Sequence, residues 1–389
     1  MYRVPVVDKN NIPLMPTKCS KARKLVRDKK AIGKWNKLGQ YYIQLTFEPS
    51  GRQTQPIAIG LDPGKKYSGI GVQSSKITLF TAHLVLPFEQ VKKRMEQRGM
   101  MRRSRRGRRI NRKLSFELRS HRQKRFDNRR NKKVAPSIRA NRQLEIRVIS
   151  ELCKVYPISS IVFEYVKADV DLRSGRKKAR SGKGFSAVMV GQKWAIEQLF
   201  KLAPVGKKLG WQTSNLRKHF GLKKQKHSKG EPIPATHAVD GVVLAASQFR
   251  DYLPFENSIG RGHCWQGNLT ITNATFTVIR RPPISRRQLH LMIPSKGGSR
   301  RKYGGTTTPF DIRKGDLVKY KDKLGFCSGY TGKNISVSDF NWKRLGRYAA
   351  SKVTLIARSS NLICQPIIGG AKFPYAQASA MGAVPFRDL

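Results

Sequence analysis

Between residues 92 and 133 the chain runs KKRMEQRGMMRRSRRGRRINRKLSFELRSHRQKRFDNRRNKK, a basic stretch that cannot form a core of its own. Any fold must therefore keep this run outside its apolar interiors. Arginine has good helix propensity and the run lacks proline, so it reads as one long helix whose self-repulsion is cancelled by surrounding phosphates. The alternative is a disordered basic segment, and the position between two apolar regions favours the helix. The imbalance extends along the chain, where 79 Lys and Arg against 23 Asp and Glu give a formal charge of +56. Such a chain repels itself unless a polyanion neutralises it. Nucleic acid supplies negative charge over a long path, and each phosphate contact releases condensed counterions.

A length of 389 residues suggests two or three structural units. The five cysteines, Cys19, Cys153, Cys264, Cys327 and Cys364, are scattered, with no CxxC pair to begin a zinc site, and read as reduced thiols. The opening MYRVPVVDKN lacks the apolar centre of a signal peptide, and the longest apolar stretch, AVDGVVLAA, is too short to cross a bilayer. The expectation is a soluble cytoplasmic protein without a membrane partner.

Residues 1–55 read as a small strand–turn–helix–strand unit: VPVVD, the polar turn KNN, PLMP, a basic helix that Thr17 is placed to cap, and the strand YYIQLTF. PIAIGLD, GIGVQSS and KITLFTAHLVL follow as a three-stranded meander, too tightly joined to be a parallel βαβ unit. Residues 137–156 have helical periodicity, with Leu144, Val148, Leu152 and Val155 on one stripe. SSIVFEYV is a short apolar strand. A Gly/Arg/Lys-rich loop (171–184) leads to a helix near 187–203 with Ala195, Leu199 and Leu202 aligned, and ATHAVDGVVLAASQF reads as a helix opened by Thr236. Beyond Arg250 short alternating runs such as KGDLVKY and KVTLIAR read as all-β.

In a chain with so few acids, three of them sit in apolar surroundings. Asp62 ends the strand IAIGLD, Glu164 lies within IVFEYV, and Asp240 lies in an apolar helix three residues after His237, so that the two share a face. A buried carboxylate is costly unless it is paired or bound to metal. Singly, each could be paired with one of the many arginines. Together, a meander whose first strand ends in Asp, then a helix, a strand carrying Glu, and later a helix carrying Asp follow the order of an RNase H-like fold. In that fold the carboxylates gather around two Mg²⁺ ions about 3.5–4 Å apart, which activate water for phosphodiester hydrolysis. Carboxylate oxygens suit Mg²⁺, with Mn²⁺ as a substitute. His237 is a candidate general base for the attacking water, although a helix histidine is more often structural.

GLDPGKKYSGIGV, MRRSRRGRR, IVFEYV and THAVDGVVLA resemble the RuvC-I, bridge-helix, RuvC-II and RuvC-III segments of the transposon-encoded IscB and IsrB proteins, relatives of the type II CRISPR nucleases. PLMP resembles the element that names their N-terminal domain. The resemblance covers residues 1–250 in order. It implies an α/β protein with a RuvC (RNase H-like) core split in three segments: a PLMP domain (1–55), RuvC-I (56–91), an arginine-rich bridge helix (92–133), RuvC-II (134–186), RuvC-III (187–250) and a C-terminal β-rich domain (251–389) that reads a target-adjacent motif. It further implies Asp62, Glu164 and Asp240 as metal ligands with His237 assisting. Arg98, Arg102, Arg103, Arg105, Arg106, Arg108, Arg109 and Arg112 are the expected nucleic-acid contacts. The implied partners are an omega RNA guide and double-stranded target DNA, bound by a monomeric protein in a prokaryotic, nucleoid-associated ribonucleoprotein. The interval from Glu164 to His237 is too short for the HNH nuclease of IscB, and His219 and His227 lack ligand partners in sequence. The chain therefore resembles IsrB, with one nuclease site that nicks the non-target strand. A guide-independent resolvase and a non-catalytic RNA-binding protein of ribosomal type are the alternatives; co-purifying RNA argues against the first and Mg²⁺-dependent cutting against the second.

Overall fold

The computed structural model describes residues 2–109, 111–115, 117–118, 134–166, 187–228, 230–257, 260–267, 269–283 and 308–371. The loop at 171–184, most of the basic run beyond 109 and the tail after 371 lie outside the described residues. Two compact units are present, one of residues 1–36, 41–278 and 366–389, the other of residues 37–40 and 279–365.

The larger unit begins with β1 (Arg3–Val7), β2 (Pro13–Lys18), α1 (Cys19–Arg27), β3 (Ala31–Trp35) and β4 (Tyr41–Leu45), forming a sheet of order β2-β1-β4-β3. Val6, Leu14, Ala22, Ala31, Ile43 and Leu45 pack together under α1. The sequence PLMPTK is itself β2, and α1 opens at Cys19 with no side-chain cap, so Thr17 is a strand residue rather than the expected helix cap. Gly33 and Lys34 interrupt the apolar alternation of β3, so the sequence pattern does not show that strand.

The meander follows as expected, with β5 (Ile57–Asp62), β6 (Tyr67–Ser74) and β7 (Thr78–Val85) paired antiparallel. After α2 (Phe88–Arg109) and α3 (Pro136–Cys153), the strand β8 (Ser160–Tyr165) returns parallel to β5. Then come α4 (Ala187–Leu199) and β9 (Val205–Leu209), which is parallel to β8. Beyond them lie α5 (Gly210–His219), a π-helical turn (Pro234–Ala238) and α6 (Val239–Ala246). β10 (Asp251–Asn257) and β11 (Gly260–Gln266) form a hairpin. With β12 (Ala274–Arg280) and, late in the chain, β18 (Ile363–Ala371), the central sheet has the order β18-β12-β7-β6-β5-β8-β9.

The stripe Leu144, Val148, Leu152 and Val155 is buried, as its periodicity predicts. Ala195 and Leu199 are buried as well, but α4 ends at Leu199 and Leu202 lies in the following turn, 37% exposed, off the expected stripe. Every residue of α6 is buried. This helix rests directly on the backbone of β5 and β6: a Cβ added to Gly60 would lie 2.0 Å from the carbonyl oxygen of Gly241, and one on Gly71 would lie 2.6 Å from its carbonyl carbon. Glycine here is a requirement of close approach, and it lets the helix that carries Asp240 lie against β5 and β6.

The second unit contains β13 (Leu317–Tyr320), β14 (Lys323–Thr331), β15 (Asn334–Ser338), β16 (Arg344–Ala349) and β17 (Thr354–Ala357), an antiparallel sheet of order β16-β15-β14-β13-β17. It is closed over Ile312, Val318, Cys327, Ile335, Val337 and Val353. The expected β-rich region beyond residue 250 is thus shared, with β10–β12 in the larger unit and β13–β17 in the second. Among the described residues no helix is long and apolar enough to cross a membrane.

Candidate active site

The sheet places Asp62 and Glu164 close together because β5 and β8 are adjacent and parallel, so both strands deliver their C-terminal residues to one edge. Asp62 is the last residue of β5, and Glu164 follows Phe163, the partner of Leu61. Asp240 lies in the first turn of α6, which covers those strands. His237 lies just before it in the π-helical turn, where its Nδ1 is 3.5 Å from Asp62 Oδ2. The π turn replaces the regular helix start expected at Thr236. Thr236 does not cap: its Oγ1 is 2.8 Å from the carbonyl oxygen of Ile233 and 3.3 Å from His83 Nδ1. Single π turns of this kind often re-aim side chains at functional sites.

The His237 ring is packed against two other rings. Tyr67 and the buried His83 have ring centroids 5.7 and 5.4 Å from it. Its Nε2 is buried with no hydrogen-bond partner among the described residues, so Nδ1 is the nitrogen presented to the carboxylates.

Among the described residues, two cations enter the site from segments that the sequence pattern leaves unmarked. Arg217 of α5 bonds Asp240 Oδ1 through Nη1, and Lys224 bonds Asp240 Oδ2 while standing 3.9 Å from Asp62 Oδ2. Thr213, one helical turn before Arg217, has its Oγ1 3.4 Å from the Leu209 carbonyl oxygen and acts on the Glu164 carboxyl from the same turn. Burial, then the charge of Asp62, pushes the Glu164 carboxyl up to about 7, with Asp240 adding to the rise and Thr213 opposing it. Burial and then Asp62 likewise raise Asp240, against the pull of Lys224 and Arg217. Burial works against the Lys224 ammonium, but Asp240 and Asp62 outweigh it and hold the lysine above its usual value. Glu164, Asp62 and Asp240 therefore act on one another through space, the field pattern of grouped catalytic carboxylates.

A second layer holds the turn after Asp62. Glu145 of α3 is fully buried; it accepts hydrogen bonds from Ser68 Oγ at 2.6 Å and from Arg142 Nη1 at 2.7 and 2.6 Å to its two oxygens. Ser68 Oγ also accepts from the Gly64 amide at 3.0 Å, and Arg142 Nη2 reaches the Gly64 carbonyl at 3.3 Å. Burial raises the Glu145 carboxyl, and Arg142 and Ser68 oppose that rise.

As arranged, no three His, Cys, Asp or Glu side chains among the described residues stand close enough to hold a metal ion. The chemistry of the donor set nevertheless suits a hard divalent cation, since Asp62, Glu164 and Asp240 offer only carboxylate oxygens and each bears on the others' charge. The expected nucleic-acid contacts lie elsewhere. Arg98, Arg102 and Arg103 are exposed on α2, and Arg112 is exposed in the turn beyond it. Arg105, Arg106, Arg108 and Arg109 continue the α2 backbone, and their side chains lie outside the described residues.

The RRXRR family, described as RRXRR protein, matches residues 4–184, a span that contains RRSRR at 102–106. No curated protein matches the chain. Among solved structures, the chain is similar to T. thermophilus RuvC in complex with a Holliday junction substrate, with 13% identity and a TM-score of 0.26 over 49% of this chain and 90% of that one.

Proposed function

We propose that this protein is an RNA-guided DNA endonuclease of the IsrB type, which nicks the displaced, non-target strand at a single RuvC-like site. The observation that carries the reading is the convergence of Asp62, Glu164 and Asp240 from two strand ends and a helix, with His237 Nδ1 3.5 Å from Asp62. The strand order β7-β6-β5-β8-β9, three antiparallel strands and then two parallel ones, is that of an RNase H-like core and supports it further.

Asp62, Glu164 and Asp240 would hold Mg²⁺, which when bound supplies an activated water and charge neutralisation at the scissile phosphate. The chain's own residues do the rest. Tyr67 and His83 fix the His237 ring so that Nδ1 faces the carboxylates, where it can accept the proton of the attacking water. Thr213 and Arg217 orient Glu164 and Asp240 from one helix. The exposed arginines of α2 bind guide phosphates, and base pairing supplies sequence recognition while the protein supplies a basic channel. The second unit together with β10–β12 is assigned to reading a short motif beside the target.

Sequencing the RNA that co-purifies with the protein tests this reading. One structured RNA with a variable guide segment, able to direct Mg²⁺-dependent cutting of a matched DNA, is the expected result. A heterogeneous mixture of cellular RNA with no directed cutting would contradict it.

A further inference from the structure

The wall of the site formed by α5 has a feature that neither the carboxylates nor the guide contacts use. Gly210 opens the helix so close to Glu164 that an added Cβ would lie 3.5 Å from Oε1. Thr213 and Arg217 then point to Glu164 and Asp240, and Leu216 points into the core. The next residue after Gly210 is Trp211, and it is left 62% exposed. At 3.6 residues per turn, Trp211 stands about a third of a turn from the direction shared by Gly210 and Arg217 and nearly opposite Thr213, on the side away from Leu216. What ties it to the carboxylate site is its place in the chain: its Cα is about 3.8 Å from that of Gly210, the residue that lies against Glu164. Asn215 and Lys218, four and seven residues on, share its face and are exposed. On the neighbouring strand Lys208 is the register partner of Glu164 itself.

A scattered exposed apolar residue needs no explanation. This one is a flat aromatic surface one residue from the glycine that lies against Glu164, in line with an amide and an ammonium, on a chain whose charge selects polyanions. Bases within a duplex have their faces covered by stacking, whereas a single strand offers them free, and an indole beside a lysine binds such a strand with little regard to sequence.

We propose that Trp211 is a stacking platform for a base of the single strand that enters the carboxylate site, with Lys218 holding an adjacent phosphate. The inference rests on the nuclease reading for what happens to that strand, while the binding itself needs neither metal nor chemistry.

The test uses the full chain, a short oligothymidylate as probe, and EDTA to prevent cutting. Indole emission of the wild type is quenched by the oligonucleotide, and the difference between wild type and Trp211→Phe isolates the part due to this residue. Trp211→Phe keeps the stacking plane and binds close to the wild type, whereas Trp211→Leu keeps an apolar group without the plane and binds about 5- to 150-fold more weakly. In metal-loaded cutting of a guided target, Trp211→Leu raises KM and Trp211→Phe restores it. Because Trp211 is exposed, both variants keep the fold, and circular dichroism verifies this. Equal quenching in wild type and Trp211→Phe, or wild-type binding by Trp211→Leu, overturns the proposal. So does an indole emission shift that grows with protein concentration in the absence of oligonucleotide, which would assign the face to a second copy of the chain. Trp211-dependent quenching without any Mg²⁺-dependent cutting by the wild type supports the stacking surface and rejects the nuclease reading instead.

Discussion

Asp62 Oδ2 and His237 Nδ1 face each other at 3.5 Å across 175 residues of chain. The approach is fixed by the backbone and does not depend on the two side chains alone. Gly69, which pairs with Asp62 across β5 and β6, lies so close beneath the π-helical turn that an added Cβ would be 1.8 Å from the carbonyl oxygen of His237.

Gly69→Ala should therefore push the turn, and His237 with it, away from Asp62. A displacement of about 1 Å in a catalytic group costs on the order of 10²-fold in rate. Single-turnover nicking rates measure the loss, with guide binding unchanged as the control. An unaltered rate would mean that His237 takes no part in the reaction.

Glu145→Ala should destabilise the protein by about 3–5 kcal/mol, because it strands Arg142 as an unpaired buried charge and leaves Ser68 without its acceptor. Urea denaturation measures this. Replacing Glu145 and Arg142 together by apolar residues should recover much of the loss.

In EDTA, stability should fall as pH rises from about 4.5 to 7. Glu164 lies at about 7 in the folded protein against an ordinary 4.5, so across that interval the folded state holds a proton that the unfolded chain has released. The slope of unfolding free energy against pH is then negative. It accumulates to about 1–3 kcal/mol once the coupling to Asp62 and Asp240 is allowed for. Glu164→Gln should make the slope shallower, leaving the part due to Asp240 and Glu145, whose carboxyls burial also raises; an unchanged slope would mean that Glu164 titrates normally.

Arg98, Arg102 and Arg103 on α2 should each contribute to the salt dependence of guide binding. Replacing all three by Gln should reduce the log–log slope by about 0.7–0.9 for each phosphate that the protein then ceases to neutralise. An unchanged slope would assign them to solvent.

The carboxylates were legible in sequence because acids are rare in this chain and Asp62, Glu164 and Asp240 interrupt apolar runs. The order of meander, helix and strand was legible from hydrophobic periodicity and turn residues. The cations beside them were not. Among 79 Lys and Arg, nothing local marks Arg217 and Lys224 as residues that reach Asp240. Strand β9, VGKKL, hides because its lysines break the apolar alternation, and with it went α5, which supplies Thr213, Arg217 and Trp211. Glu145 sits on a helix read only for its apolar stripe, and its partner Ser68 is 77 residues away. The π turn at His237 follows from packing on Gly69, a tertiary constraint that local propensity does not report.

In the function proposed, one site, built on Asp62, Glu164 and Asp240, cuts one strand. The most direct test supplies the guided protein with a supercoiled plasmid carrying one matched target and, in parallel, a linear duplex of the same target with strand-specific end labels, in Mg²⁺, for the wild type and Asp240→Ala. The expected result is open-circular product from the plasmid and, on the labelled duplex, a break in the strand not paired to the guide, with neither from Asp240→Ala although it still binds RNA. Linear product at early times, or cutting retained by Asp240→Ala, would contradict it.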